Sequence, residues 1–252
     1  MRFQTEGGSS MKVIYTAWWQ GFDNAPDAIR ICHQSLVNAI KELDIELVPI
    51  TYKNLDDYTD LPGYIVDKYR SGIITSTNFS DILRFSLLSS NGGLWADASM
   101  YFYKPLNLNL FKKDFFTMKR CEVKNEEITS RWLVSFIGGN KHFPLFDLMN
   151  DFWLDYWKHE EELIAYLLVD NIMYLGYKKN KVIREAFDAC DTFHYPVDYF
   201  QNRLNNVYDE KMENKLACGD DFFKLTYKKN FLMENNGKPT LWNALRRRVL
   251  NV

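Results

Sequence analysis

The chain has 252 residues, of which 46% are hydrophobic and 16% aromatic, and its net charge is −2. That length suffices for one α/β domain with a sizeable core, and the near-neutral charge gives nucleic acid no electrostatic reason to bind. The four cysteines, at 32, 121, 190 and 218, form no C-x-x-C pair, which argues against zinc or disulfide chemistry and fits a reducing, cytoplasmic setting. The histidines at 33, 142, 159 and 194 show no H-x-x-x-H spacing, and no apolar run reaches the roughly 20 residues of a membrane span. Residues 1–10 are polar and end in Gly-Gly-Ser-Ser before a second Met, so they read as a tag or disordered tail. Residues 11–252 read as a single domain.

Residues 12–17 (KVIYTA) are β-rich and make a natural first strand. Trp18-Trp19-Gln20-Gly21 follows at its carboxyl end, where the two indoles either line a ligand or pack into the core. Asn24 is placed to cap a helix with Pro26 in its first turn, and Ile29, Cys32, Leu36, Val37, Ile40 and Leu43 recur along its buried side. Residues 45–51 form a second strand. Strand, helix and strand in under forty residues make a βαβ unit and hence a parallel sheet. Residues 53–60 read as a polar loop, and Leu61-Pro62 opens a helix through Tyr69 that Ser71-Gly72 stops.

The stretch at 78–104 organises the rest. Asn78 or Ser80 caps a helix, Asn91-Gly92-Gly93 ends it, and Leu94-Trp95-Ala96 begins a buried strand. Asp97-Ala98-Ser99 follows where such a strand emerges at the ligand-binding edge of an open sheet. A carboxylate there, with a hydroxyl two residues on, can hold a hard divalent cation and through it a diphosphate; it can equally form a turn. Asp81 and Arg84 lie three apart on one helix face, either as a plain ion pair or as part of that site.

Beyond it, residues 100–103 alternate as a strand until Pro105. Residues 115–119 and 132–137 read as two more strands, separated by a charged turn at 122–127. Gly138-Gly139-Asn140 then either lets backbone approach a ligand or simply turns. Residues 144–190 read as helical, with one stripe of Leu145, Leu148, Met149, Phe152, Trp153 and Tyr156. A second stripe has Leu163, Ile164, Leu167, Leu168, Ile172 and Leu175. Asp170 interrupts it and faces either solvent or the cleft, since a buried carboxylate needs a partner or a job. Residues 180–189 form another helix and 222–227 a strand or closing segment. Residues 240–252 form a terminal helix whose Arg246, Arg247 and Arg248 lie beside Trp242 and Leu245. That helix either touches anionic lipid or ends in solvated cations that suit its dipole.

The pattern S-D-x-x-R-x-x-x-L-x-x-x-G-G-x-W-x-D-A-S at residues 80–99 resembles the GT-A-type glycosyltransferases of bacterial capsular polysaccharide synthesis, relatives of the sugar transferases with a DXD motif. Trp18-Trp19-Gln20-Gly21, residues 61–69, 132–140, 166–174 and 224–228 extend the resemblance over nearly the whole chain. It implies a GT-A, Rossmann-like fold with a mainly parallel central sheet and a helical C-terminal half. It also implies a nucleotide-sugar donor, UDP-linked, and an oligosaccharide or lipid-linked acceptor at the inner membrane face, with retention of configuration. By the same resemblance Asp97 and Ser99 would hold Mn²⁺ or Mg²⁺. Ser99 stands where many relatives have a second Asp, and no His follows near residues 223–227, so Lys224 or Lys228 is the alternative contact to the diphosphate. Ala17, Trp18, Trp19, Asp81, Arg84, Ala98, Gly138 and Gly139 would bind the donor, and Asp97 and Asp170 would be catalytic. The main rival is a carbohydrate- or nucleotide-sugar-binding protein that keeps the fold with little or no turnover. P-loop, dinucleotide and serine-hydrolase motifs are absent.

Overall fold

Alternation along short apolar strands sets the architecture. The computed structural model describes residues 12–123 and 128–251; the expected tail at 1–10 and residues 124–127 of the charged turn at 122–127 lie outside them. β1 (Val13–Ala17) and β2 (Glu46–Ile50) pair in parallel with Val13 opposite Glu46, as the βαβ reading requires. Between them α1 (Asp27–Ile40) starts one residue after Pro26, which stands at its N-cap. The expected cap, Asn24, lies in a separate 3-10 turn at Phe22–Asn24. A proline suits a helix start, because the N–H it lacks would have no partner there.

α2 (Leu55–Tyr58) is a single turn inside the expected loop, and α3 (Gly63–Arg70) follows Pro62. α4 (Ser76–Asn91) begins before the expected caps: the Thr75 side chain accepts from Asn78 N. Asn78 is instead buried inside the helix, where its Oδ1 accepts from Trp157 Nε1 at 2.9 Å. Gly92, at φ 70°, closes α4 with its N–H on Leu88 O. β3 (Gly93–Ala96) then runs parallel to β1, with Ile14 opposite Leu94.

β4 (Met100–Phe102) leaves the sheet, and β5 (Phe115–Phe116) and β6 (Phe136–Gly139) complete it in the order β2-β1-β3-β6-β5. β6 pairs antiparallel with both neighbours, so four of the five strands point one way. The mainly parallel α/β sheet expected from the sequence is the one that forms. Adjacent strand residues point to opposite faces. Val13, Tyr15, Trp95 and Ile137 join the core under α4 and the later helices, while Ile14, Leu94, Ala96 and Phe136 join Leu36, Ala39 and Ile40 of α1.

α5 (Pro144–His159) buries Leu145, Phe146, Met149, Trp153 and Trp157. Lys68 Nζ caps its end, donating to Trp157 O at 2.8 Å and Glu160 O at 2.6 Å. α6 (Leu168–Lys179) splits the expected stripe: Leu163, Leu168 and Ile172 pack half-buried against the core beside Val169, Asp170, Met173 and Gly176, while Ile164 and Leu167 before the helix and Leu175 within it are exposed. The reason is Gly176, where an added Cβ would lie 2.9 Å from Leu148 Cδ2. The closest approach therefore uses the small residue, and its neighbour Leu175 is left outside. α7 (Lys181–Asp188) and α8 (Glu210–Cys218) lead to β7 (Phe222–Lys224), which pairs antiparallel with β4.

A short hairpin of β8 (Glu234–Asn235) and β9 (Lys238–Pro239) precedes α9 (Leu241–Leu250). Trp242 and Leu245, which the lipid-contact alternative would place at a membrane surface, are buried against Leu204, Phe223 and their neighbours. Arg246 reaches Asp27 at 3.2 Å, and Arg248 lies 4.2 Å from the Tyr103 ring centroid. The apolar face of α9 is thus spent on the core. Among the described residues no helix is long and apolar enough to cross a membrane.

A Cβ at Gly138 would overlap Gly93 O and the Leu94 side chain, whereas one at Gly63 would meet nothing within 4 Å. Gly138→Ala is therefore expected to lower the unfolding free energy in urea by about 1–3 kcal/mol or more. Gly63→Ala should leave it unchanged or raise it by about 0.4–1 kcal/mol.

Candidate functional site

β1 and β3 are parallel neighbours, so both end at one edge of the sheet. A cleft of about 660 Å³ occupies that edge, within the range that small-molecule sites favour. Ala17, Trp18 and Trp19 enter it from the end of β1, and Asp81 and Arg84 from α4. Asp97, Ala98 and Ser99 enter from the turn after β3, and Lys224 and Lys228 from β7 and the segment beyond.

Arg84 joins the two cleft carboxylates. It lies on the buried side of α4, donating from Nη1 to Asp81 Oδ1 and from Nη2 to Asp97 Oδ1, each at 2.8 Å. Trp95 Nε1 donates to the same Asp97 oxygen at 2.8 Å. Lys224 Nζ takes Oδ2 at 2.7 Å and also donates to Ser135 Oγ. The turn that carries Asp97 is pinned too, with its N–H on Ser135 O and its carbonyl accepting from Met100 N. Lys224 arrives because β7 pairs with β4, placing it opposite Met100, and Leu225 N donates to Ser99 O.

This arrangement splits the carboxyl groups. Burial works to raise Asp97, but the charges of Lys224 and Arg84, with hydrogen bonds from Lys224 and Trp95, outweigh it and hold the group well below the usual carboxylate range. Asp81 goes the other way. Its burial outweighs Arg84, and repulsion from Asp97 and Asp170 adds to the rise, so its pKa stands at about 6.

Asp170 does not line the cleft. It is buried in the first turn of α6, where desolvation raises its pKa against a backbone hydrogen bond at Ser130 and the charges of Arg120 and Arg84. Gly138 and Gly139, expected beside a donor, do not line it either. They pair with Leu94 and Gly93 inside the sheet, and because β6 runs opposite to β3 its carboxyl end lies at the far edge from Asp97. Close approach of three strands explains both glycines. At Gly139 a Cβ would lie 2.9 Å from Phe115 Cα.

The two indoles of the β1 loop divide the alternatives. Trp18 stands at the rim in edge contact with Tyr227, centroids 5.1 Å apart, while Trp19 is mostly core, against Tyr69 and Phe79. Tyr166, three-quarters exposed, also borders the cleft. Trp95, Ser135, Tyr166 and Tyr227 were not singled out from the sequence. Only Trp95 carried a usable signal, because a ring N–H two residues before a strand-end Asp lies on the same side of the chain.

The donor set does not suit the Mn²⁺ or Mg²⁺ expected at Asp97 and Ser99. A small dication in such a site needs at least one carboxylate oxygen beside the substrate's phosphates, yet both Asp97 oxygens already accept from cations, and Ser99 offers only a neutral hydroxyl. Among the described residues no group of three His, Cys, Asp or Glu could complete a shell.

Fold and cleft together define an α/β protein with an open cleft at the carboxyl edge of its parallel strands. The sequence model described as "Capsular polysaccharide synthesis protein" matches residues 2–245, and the chain belongs to that family. A comparison with curated proteins finds no match. Among solved structures, the chain is similar to one described as PaToxG glycosyltransferase, with 13% identity and a TM-score of 0.46 over 94% of this chain and 86% of that one. It is also similar to a glycosyltransferase involved in glycosylation of the major capsid of PBCV-1, with 9% identity and a TM-score of 0.41 over 95% and 99%. A third is the glycosyltransferase GlyE of Streptococcus pneumoniae TIGR4, with 11% identity and a TM-score of 0.46 over 96% and 63%.

Two outcomes follow from the charge array. Arg84→Met leaves Asp81 and Asp97 without their shared cation, and chemical denaturation should show a loss of about 3–5 kcal/mol. The Asp81 carboxyl rises from 3.8 unfolded to about 6 folded, so the stability it contributes is full below pH 4 and is lost as pH climbs through 6. Relative to Asp81→Asn, the wild type should therefore weaken between pH 4 and 6.5 and run level above 7; parallel curves throughout would show that Asp81 titrates normally.

Proposed function

We propose that the protein is a GT-A-type glycosyltransferase. It moves a sugar from a nucleotide-sugar donor, UDP-linked, to an oligosaccharide or lipid-linked acceptor of a capsular or surface polysaccharide repeat. Membership of a capsular polysaccharide synthesis family gives the setting. The observation that carries the reading is the array of Arg84, Asp97 and Lys224 facing a cleft at the shared end of β1 and β3. A diphosphate seated there meets fixed cations, and preorganised charge is what a departing diphosphate needs. Trp18, Tyr227 and Tyr166 offer rings to the flat face of a base or sugar.

In the reaction, the bond from the anomeric carbon to the diphosphate oxygen breaks. A bond from that carbon to the acceptor oxygen forms, and the acceptor's proton leaves with the diphosphate. Retention of configuration suits this cleft. An inverting enzyme places a free carboxylate to take that proton, whereas the lining carboxylates, Asp81 and Asp97, are each tied to Arg84.

Incubating the protein with a panel of UDP-, GDP- and ADP-sugars should release the free nucleotide from one donor, faster with acceptor oligosaccharide. NMR of the product should show the donor's anomeric configuration. Asp97→Asn, which disturbs both cation contacts, should lower the rate at least 100-fold. Binding of a nucleotide sugar with no release under any condition would replace this reading with that of a nucleotide-sugar-binding protein.

A further inference from the structure

We infer that the Lys224 ammonium takes the place of a divalent cation in this site, so that nucleoside diphosphates bind through their phosphates without metal. This rests on the nucleotide-sugar reading and adds the group that neutralises the diphosphate.

The first argument is occupancy. Asp97 Oδ1 accepts from Arg84 and Trp95, and Oδ2 accepts from Lys224. A dication seated on Asp97 would have to displace the ammonium while sharing the cleft with it, and that repulsion opposes binding.

The second is capacity. An ammonium has three N–H donors; Lys224 gives one to Asp97 and one to Ser135, which leaves one for a ligand. Nζ reaches the cleft, with its side chain 32% exposed. Antiparallel pairing of β7 with β4 and the bond from Leu225 N to Ser99 O fix its backbone, so the charge stands in place before any ligand arrives.

The third is charge. Arg84, Lys224 and Lys228 set three positive charges against Asp81 and Asp97, so the charged residues lining the cleft sum to +1. The cleft is cationic on its own. Asp97 in this account is a positioning residue that aims two cations, and the phosphates meet Lys224.

Calorimetric titration of UDP, GDP and ADP into the whole chain, in EDTA and in excess Mn²⁺, tests this. Wild type should bind one of them with dissociation constants that agree within about threefold between the two buffers. In EDTA, Lys224→Met should weaken binding at least tenfold, and Lys224→Arg should keep most of it. Added Mn²⁺ should restore part of the affinity of Lys224→Met, because Asp97 Oδ2 is then vacant. The matching nucleoside, which lacks phosphate, should lose little in any variant, and thermal melts confirm that each variant is folded. Binding to wild type only with Mn²⁺, or unchanged affinity of Lys224→Met in EDTA, overturns the inference and leaves the nucleotide-sugar reading standing. No nucleoside diphosphate bound in either buffer overturns both.

Discussion

The Asp97 carboxylate holds together parts of the chain that are far apart in sequence. Arg84 comes from the helix before it and Lys224 from a strand 127 residues later. Arg84 is only 3% exposed, so its charge is carried at a large desolvation cost that two carboxylates must offset. Asp97 is therefore a structural tie between distant segments as well as part of the cleft lining. Its two oxygens face opposite ways in sequence, one toward α4 and Trp95, the other toward the C-terminal segment that closes the cleft.

The three aspartates around Arg84 show how one residue type is set to different tasks. Asp97 sits between two cations and stays ionised. Asp81 has only Arg84 and feels both other carboxylates, so its proton is held until near-neutral pH. Asp170 is buried and leans on the backbone at Ser130, with the charges of Arg120 and Arg84 acting on it. Burial and the number of neighbouring cations decide these outcomes. The side chain is the same in all three.

Much of the fold was legible because strand alternation and glycine stops are local signals. The βαβ start, the Gly92 stop, β3 and the emergence of Asp97 into a cleft could all be read from neighbouring residues. What escaped depended on partners distant in the chain. Only half of the stripe around α6 was legible: Leu168 and Ile172 do pack inward, but Gly176 allows the closer packing onto Leu148 and leaves Leu175 outside. Gly138 and Gly139 looked like ligand-contacting residues because nothing local reveals that β6 runs backward between two strands. The resemblance suggested Lys224 as a phosphate contact, but its place beside Asp97 depends on the β4–β7 pairing, which no short stretch encodes. Asn24, Asn78 and Ser80 have the residue type of caps, but the N-caps are Pro26 and Thr75, because residue type alone does not say where the chain turns into the helix.

The β4–β7 ribbon also changes what occupancy of the cleft would mean for the molecule. One wall belongs to residues that follow β1 and β3, and the opposite wall to residues that follow β7, with Trp18 and Tyr227 meeting across the rim. Anything lodged between them bridges segments separated by two hundred residues. It acts as a temporary cross-link that shrinks the freedom of the opened chain. A guest in this site should accordingly be felt by the molecule as a whole, with amide protons deep in the sheet exchanging more slowly along with those at the rim.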